Sequence, residues 1–203
     1  MTTVLLIRHG ETDFVKTGKM AGRTPGVHLN EKGKHEAQEL ASCLKEAPIK
    51  QIFSSPMERT LETAKPLAKT LGLKIIRSEG LIETDIGDWK GMEIKKARKF
   101  PEWKTVQTAP SRFKFPRGES FLDAQTRQVK TIEEIISYQT NDPVIACFSH
   151  ADPIKLVLAY YLGMSLDHFQ RLSCSTGSVS VLKFSKQTVF ILGMNLRPPF
   201  KLG

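Results

Sequence analysis

The stretch LLIRHGETD, Leu5–Asp13, sets an arginine, a histidine and a glycine directly behind a short apolar run. Val4–Ile7 reads as a strand that releases polar groups at its carboxyl end. A second stretch, PVIACFSH at Pro143–His150, is apolar without alternation and closes on Ser149 and His150. Unbroken apolar runs of this kind belong to strands covered on both faces.

Between these strands the periodicity switches to helical. Ala37, Leu40, Ala41 and Leu44 recur at helix spacing within 30–45. QIFS, Gln51–Ser54, is a further strand. It leads to SPME, where Ser55 is expected as an N-cap, Pro56 at the first helical position and Glu58 as the partner in a capping box. Met57, Leu61, Ala64, Leu67, Ala68 and Leu71 mark the buried face of that helix, and Gly72 its end. Leu73–Arg77 reads as a strand. A long helix is expected over 120–138, with Leu122, Val129, Ile132, Ile135 and Ile136 inward, and another from His150 to about Leu162, capped by Gly163. SVSVLKF and TVFILGMN form an expected hairpin around Lys186–Gln187. Strands alternating with helices imply an α/β protein of three layers, α/β/α, around a mostly parallel sheet. One domain is expected over 1–203, with a lid-like insertion at about 91–118.

The chain has 203 residues, 40% hydrophobic and 25% charged, the balance of a globular protein. No apolar run reaches bilayer length, and the N-terminal run is too short for a signal peptide. The expected compartment is the cytoplasm, with no membrane partner. Cys43, Cys147 and Cys174 have neither disulfide nor zinc-ligand spacing, and no metal is expected. The net charge is +9. Lys95, Lys96, Arg98, Lys99, Lys104, Arg112, Lys114 and Arg117 stand against Glu102 alone, so this segment holds +7 of it. Such a run either attracts an anionic partner or is a solvated face. No nucleic-acid motif accompanies it, and no nucleic-acid partner is expected.

In open parallel sheets, ligands bind beyond the carboxyl ends of the strands. Three strand exits there carry Arg8-His9-Gly10, then Ser54-Ser55 with Arg59 one turn on, then Ser149-His150-Ala151. Two arginines and two histidines therefore converge. Guanidinium groups bind phosphate oxygens bidentately and stay charged. An imidazole can act as nucleophile through one nitrogen while a hydrogen bond fixes the other. Together they suit phosphoryl transfer, and the arginines favour neutral imidazole. The leaving alkoxide needs a proton, for which the loop IETDIGDW offers Glu83, Asp85 and Asp88.

Six blocks in order resemble the histidine phosphatase superfamily, the phosphoglycerate mutase-like family, along nearly the whole chain. They are RHGET (Arg8–Thr12), LNEKGKHEAQELA (Leu29–Ala41), SSPMERTLETA (Ser54–Ala64), ETDIGDWKG (Glu83–Gly91), GESF (Gly118–Phe121) and SHADPIK (Ser149–Lys155). The resemblance implies a phosphoglycerate mutase-like fold and a phosphohistidine on His9. It implies that Arg8, Arg59 and His150 bind the phosphoryl group, with the Ala151 N–H as a further donor. It selects Glu83 as proton donor and then base, and makes Thr12 a phosphate-side residue. Arg23, Lys90 and Arg117 are expected at the substrate rim. Val15 and Ala151 depart from the family's pattern, which often has Asn near the former and Gly at the latter.

Members of the family include mutases with a longer segment between the acid loop and GESF. The short segment here favours hydrolysis, giving a metal-independent, cofactor-free phosphomonoesterase of the histidine acid phosphatase type, acting on a small anionic phosphorylated metabolite. The alternatives are a phosphoglycerate mutase and a silent phospho-ligand-binding or regulatory module. A monomer or homodimer is expected. Phe100, Trp103, Phe113 and Phe115 either stack on substrate or pack the lid onto the domain.

Overall fold

The computed structural model describes residues 1–139 and 142–200. In chain order its elements are β1 (Thr2–Arg8), α1 (Asp13–Lys16), α2 (Glu31–Leu44), β2 (Ile49–Ser54), α3 (Glu58–Leu71), β3 (Ile75–Arg77), α4 (Ile94–Ala97), α5 (Glu102–Thr108), α6 (Phe121–Ser137), β4 (Val144–Ser149), α7 (Ala151–Tyr161), β5 (Val179–Phe184) and β6 (Val189–Leu196). The strands form one sheet in the order β3-β2-β4-β1-β5-β6. The first four in that order are parallel, and β5 and β6 add an antiparallel margin.

Alternation along β1 builds a three-layer α/β/α sandwich. Leu5 and Ile7 pack with Leu40, Ala41 and Leu44 of α2 and Ala64, Leu67 and Ala68 of α3. Val4 and Leu6 pack with Val129, Ile132 and Ile135 of α6 and Ile154, Val157 and Leu158 of α7. Cys147 of β4 lies in the second of these layers, fully buried.

Three expected details differ. The helix after β2 starts at Glu58 behind Met57, with no side-chain cap. The Ser55 hydroxyl is drawn to the His150 ring instead, and Glu58 accepts from the Gly26 N–H, so the capping box does not form. Leu73 completes the C-terminal cap that follows α3: Gly72 is left-handed at φ 65° and the Leu73 N–H returns to the Ala68 carbonyl, so β3 starts at Ile75. Leu122 is 54% exposed. The buried stripe of α6 runs through Phe121, Gln125, Gln128 and Ile132, because the two glutamine amides bond the carbonyls of Leu156 and Ile82. Leu122 falls outside it.

The 91–118 segment, with α4 and α5, is two-faced. Its eight cations are all exposed. Its inner side joins a third apolar cluster, in which Ala97, Val106, Phe113 and Phe115 meet Trp89, Phe121 and Phe169. Phe113 and Phe115 are buried, Trp103 is half-buried and Phe100 is exposed.

Register aims the site. β1 and β4 run parallel with Arg8 opposite Ser149, so His9 and His150 leave the sheet side by side. Ser54 lies opposite Phe148, which brings Ser55 to the same exit. Gly10 then passes against the first turn of α2. A Cβ on Gly10 would sit 2.5 Å from the Gly33 carbonyl oxygen, and one on Gly33 would sit 2.1 Å from that of Glu11.

A helical Gly→Ala change alone gains about 0.5–1 kcal/mol. Overpacking backbone against backbone costs about 1–3 kcal/mol, so the clash wins. Gly33→Ala is expected to lower stability by about 1–2 kcal/mol and Tm by roughly 2–8 °C, read by thermal unfolding. An unchanged or raised Tm would show that this contact is not tight.

Candidate active site

The Arg8, His9, Arg59 and Glu83 side chains line one end of a cavity of about 270 Å³, with Thr12 and Asp152 nearby on its wall. His9 is buried, and its Nδ1 lies 2.7 Å from the Gly10 carbonyl oxygen. A carbonyl only accepts, so Nδ1 carries the proton and Nε2 keeps its lone pair. The Gly10 N–H donates to the Thr63 hydroxyl at 2.9 Å, and that hydroxyl donates to the Arg59 carbonyl at 2.6 Å. One threonine thus ties the His9 turn to the start of α3.

His150 stands edge-on to His9, with ring centroids 5.3 Å apart. Its Nε2 lies 2.9 Å from the Ser55 hydroxyl. That hydroxyl also accepts from the Met57 N–H at 3.4 Å, and among the described residues its own proton has no acceptor but Nε2, to which it donates. The neutral ring therefore carries its proton on Nδ1. That atom is buried without a partner and lies 3.7 Å from a Glu83 oxygen.

The guanidinium groups are similarly unspent. Arg8 donates Nη1 to the Cys174 carbonyl at 2.6 Å, and Arg59 donates Nη2 to the Gly22 carbonyl at 2.7 Å. Arg8 Nε and Arg59 Nε and Nη1 are buried with no partner among the described residues. Together with His150 Nδ1 they form a set of donors that suits an anion with several oxygens. Ala151 opens α7, so its N–H is one of the donors that no helical carbonyl reaches.

Burial pushes His9 well below its usual imidazole value, and Arg59 and Arg8 push it further. The same causes, with His9 added, lower His150. Both rings are therefore neutral at pH 7. Glu83 moves the other way, raised to about 7 by burial and by the Asp152 carboxylate, against the pull of Arg59. It can therefore hold a proton near neutrality and release it.

The rim residues divide. Thr12 is buried on the cavity wall, and its hydroxyl caps α1 by accepting from the Val15 N–H at 3.3 Å. Arg23 turns away from the cavity. It donates to the Glu83 carbonyl at 2.8 Å and to a Glu119 oxygen at 2.9 Å, and so props the acid loop. Arg117 is exposed, left-handed at φ 54° and paired with Asp88. Lys90 is exposed beside a shallow groove with Lys19, Asp88 and Glu93. Neither Lys90 nor Arg117 reaches the cavity wall: Lys90 faces that groove, and Asp88 takes Arg117.

Sequence reasoning missed three residues. Ser55 was assigned to a helix cap. Asp152, which tunes Glu83 and pairs with Lys155 at 2.8 Å, lies inside the SHADPIK block but was given no role there. Glu119 is a hub: one of its oxygens accepts from Arg23, Arg127 and the Asp85 N–H. Its place in GESF was a signal that could have been followed.

Residues 4–197 match the model of the histidine phosphatase superfamily (branch 1). The chain is 30% identical over 198 residues to phosphoserine phosphatase 1 of Hydrogenobacter thermophilus, covering 97% of this chain and 93% of that one. It is 27% identical to a 2,3-bisphosphoglycerate-dependent phosphoglycerate mutase of Thermoplasma acidophilum, covering 95% and 92%. The solved structure of Bacillus stearothermophilus YhfR superposes with a TM-score of 0.88 at 27% identity, covering 95% of this chain and 96% of that one.

Two measurements check the electrostatics. Carbon-13 NMR should show the Glu83 carboxyl titrating near 7, well above the usual 4.5. Asp152→Asn removes a negative neighbour and should lower that value. A Glu83 value near 4.5 in the wild-type protein would refute the assignment. The sign for stability follows: between 4.5 and about 7 the folded protein holds a proton that the unfolded chain has released. The Glu83 contribution therefore declines as pH rises across that window. In Ser55→Ala, nitrogen-15 shifts should show His150 losing its single Nδ1–H tautomer, and a ring still held in one tautomer would exclude Ser55 as its anchor.

Proposed function

This chain belongs to the histidine phosphatase superfamily, and from that premise and the pocket we propose that it is a metal-independent phosphomonoesterase working through a phosphohistidine on His9. The observation that carries the reading is the set of unspent buried donors on Arg8, Arg59 and His150, gathered around a neutral His9. A phosphate monoester dianion fits that set. Phosphatase-named relatives such as the Hydrogenobacter protein support the class.

In the proposed cycle the Nε2 lone pair of His9 attacks phosphorus in line with the ester oxygen. The P–O bond breaks, and the oxygen keeps the electron pair and takes the proton of Glu83. Arg8, Arg59, His150 and the Ala151 N–H hold the equatorial oxygens, where charge is stabilised most in a dry site. The resulting Glu83 carboxylate then takes a proton from water as that water attacks phosphorus. The P–N bond breaks, its pair returns to Nε2, and both residues are reset. Glu83 and His9 thus exchange opposite demands through one carboxyl group poised near 7.

The mutase reading keeps one point in its favour. The Thermoplasma relative named as a mutase aligns over 92% of its length, so a short chain does not by itself exclude mutase chemistry. That removes the length argument, and hydrolysis is preferred because the cavity beyond the phosphate end has mostly apolar walls, a poor berth for the charged body of a phosphoglycerate.

With p-nitrophenyl phosphate, wild-type protein should turn over in EDTA, since two guanidinium groups supply the positive charge. His9→Ala should lose activity and trap no acid-labile phosphate; wild-type turnover in that variant would sink the nucleophile assignment. Glu83→Gln should lose about 10²–10⁴-fold on an alkyl ester. On p-nitrophenyl phosphate, whose phenolate leaves unaided, it should show a burst and a stalled phosphoenzyme. Wild-type kcat/KM for an alkyl ester should fall as pH rises through about 7, where free Glu83 gives up its proton. Rapid interconversion of 3- and 2-phosphoglycerate with bisphosphoglycerate would favour the mutase.

A further inference from the structure

The cavity continues past the phosphate end, and its two ends differ in chemistry. Beyond Arg8, His9, Arg59 and Glu83 the wall is made largely by Val15, Ile86, Trp89, Trp103, Val106 and Phe115. Three of these come from the 91–118 segment, which turns its apolar side inward and all eight of its cations outward. The Trp103 ring lies parallel to Trp89, 6.2 Å away and inclined by 17°. Trp89 in turn meets Phe115 edge-on at 5.4 Å. The polar side chains on this far wall are Lys19, Gln107 and Gln170. Of these, Lys19 alone is charged, and it is exposed and shared with the outer groove beside Glu93. Lys155, which donates to the Gln170 of this wall, is also held by Asp152. A leaving group with its own carboxylate would meet only the exposed Lys19 on this wall among the described residues, and Asp152 would oppose it.

Resting on the phosphatase reading above, we propose that the substrate's leaving group is an uncharged, largely apolar alcohol bearing a ring or a compact hydrocarbon, seated between the acid loop and the inner face of the lid. At about 270 Å³ the cavity is at the small end of ligand sites, which run from roughly 300 Å³ upward. It suits one or two rings. Aromatic walls favour flat partners through offset and edge-on contact. A site with apolar walls also rejects a charged isostere strongly, since the charge must be stripped of water without a partner.

The test compares esters of matched primary alcohols, so that leaving-group basicity does not decide the result. Wild-type kcat/KM for 2-phenylethyl phosphate should exceed that for O-phospho-L-serine and for glycerol phosphate by about 100-fold or more, the scale on which pockets of this kind discriminate. Val15→Lys puts a cation on the wall. It should reduce the ratio of 2-phenylethyl phosphate to phosphoserine turnover by at least about tenfold, and the ratio is read so that a general loss of activity cancels. p-Nitrophenyl phosphate serves as the independent readout of phosphatase chemistry. If that ester is hydrolysed while phosphoserine or glycerol phosphate equals or exceeds 2-phenylethyl phosphate, the apolar leaving group is refuted and the phosphatase reading stands. If no ester is hydrolysed, the phosphatase reading fails, and this inference falls with it.

Discussion

Two guanidinium groups and two imidazoles are withdrawn from water at one edge of a sheet, and their donors are left unspent. That is expensive: a buried charge costs several kcal/mol unless it is paired. The obvious relief would be for nearby carboxylates to collapse onto the arginines. The structure prevents this by committing those carboxylates elsewhere. Asp152 is held by Lys155, and Glu119 by Arg23 and Arg127. Glu83, which shares the cavity wall with Asp152 but has no lysine or arginine ion pair among the described residues, is pushed toward its neutral form. The cavity therefore stays electropositive.

The same arrangement keeps the imidazoles in one chemical form. Each has one ring nitrogen fixed by a hydrogen bond, to the Gly10 carbonyl for His9 and to the Ser55 hydroxyl for His150. The two anchors have opposite sense. His9 gives a proton to its anchor and keeps a bare nitrogen; His150 receives one and keeps an N–H. Two identical side chains a ring's width apart thereby become a potential electron-pair donor and a potential hydrogen-bond donor.

Much of this was legible in the sequence because it follows from topology. Once Val4–Ile7 and Pro143–His150 read as parallel buried strands, their polar ends had to share one edge, and Arg59 followed from its place one turn into the next helix. Legibility stopped where one residue type has two local uses. Ser55 before Pro56 and Glu58 has the pattern of a helix cap, but its hydroxyl is recruited by a ring that lies ninety-five positions away in the chain. Leu122 looked inward because hydrophobicity alone marks the stripe, while buried glutamines with specific carbonyl partners define it. The rim was also illegible: Lys90 ends the loop that carries Glu83 and Arg117 directly precedes the GESF block, but only the fold decides which charges face the cavity.

The root of the lid is fastened differently from its middle. Where the chain returns, the Glu119 N–H bonds the Asp85 carbonyl at 2.9 Å, and the Asp88 N–H bonds the Pro116 carbonyl at 3.0 Å. These rungs are backbone to backbone, and they grip the loop that carries Glu83. Side chains between Ile94 and Val106 face the cavity from beyond that clamp. The wall between Ile94 and Val106 therefore lies outside the backbone rungs that hold the Glu83 loop.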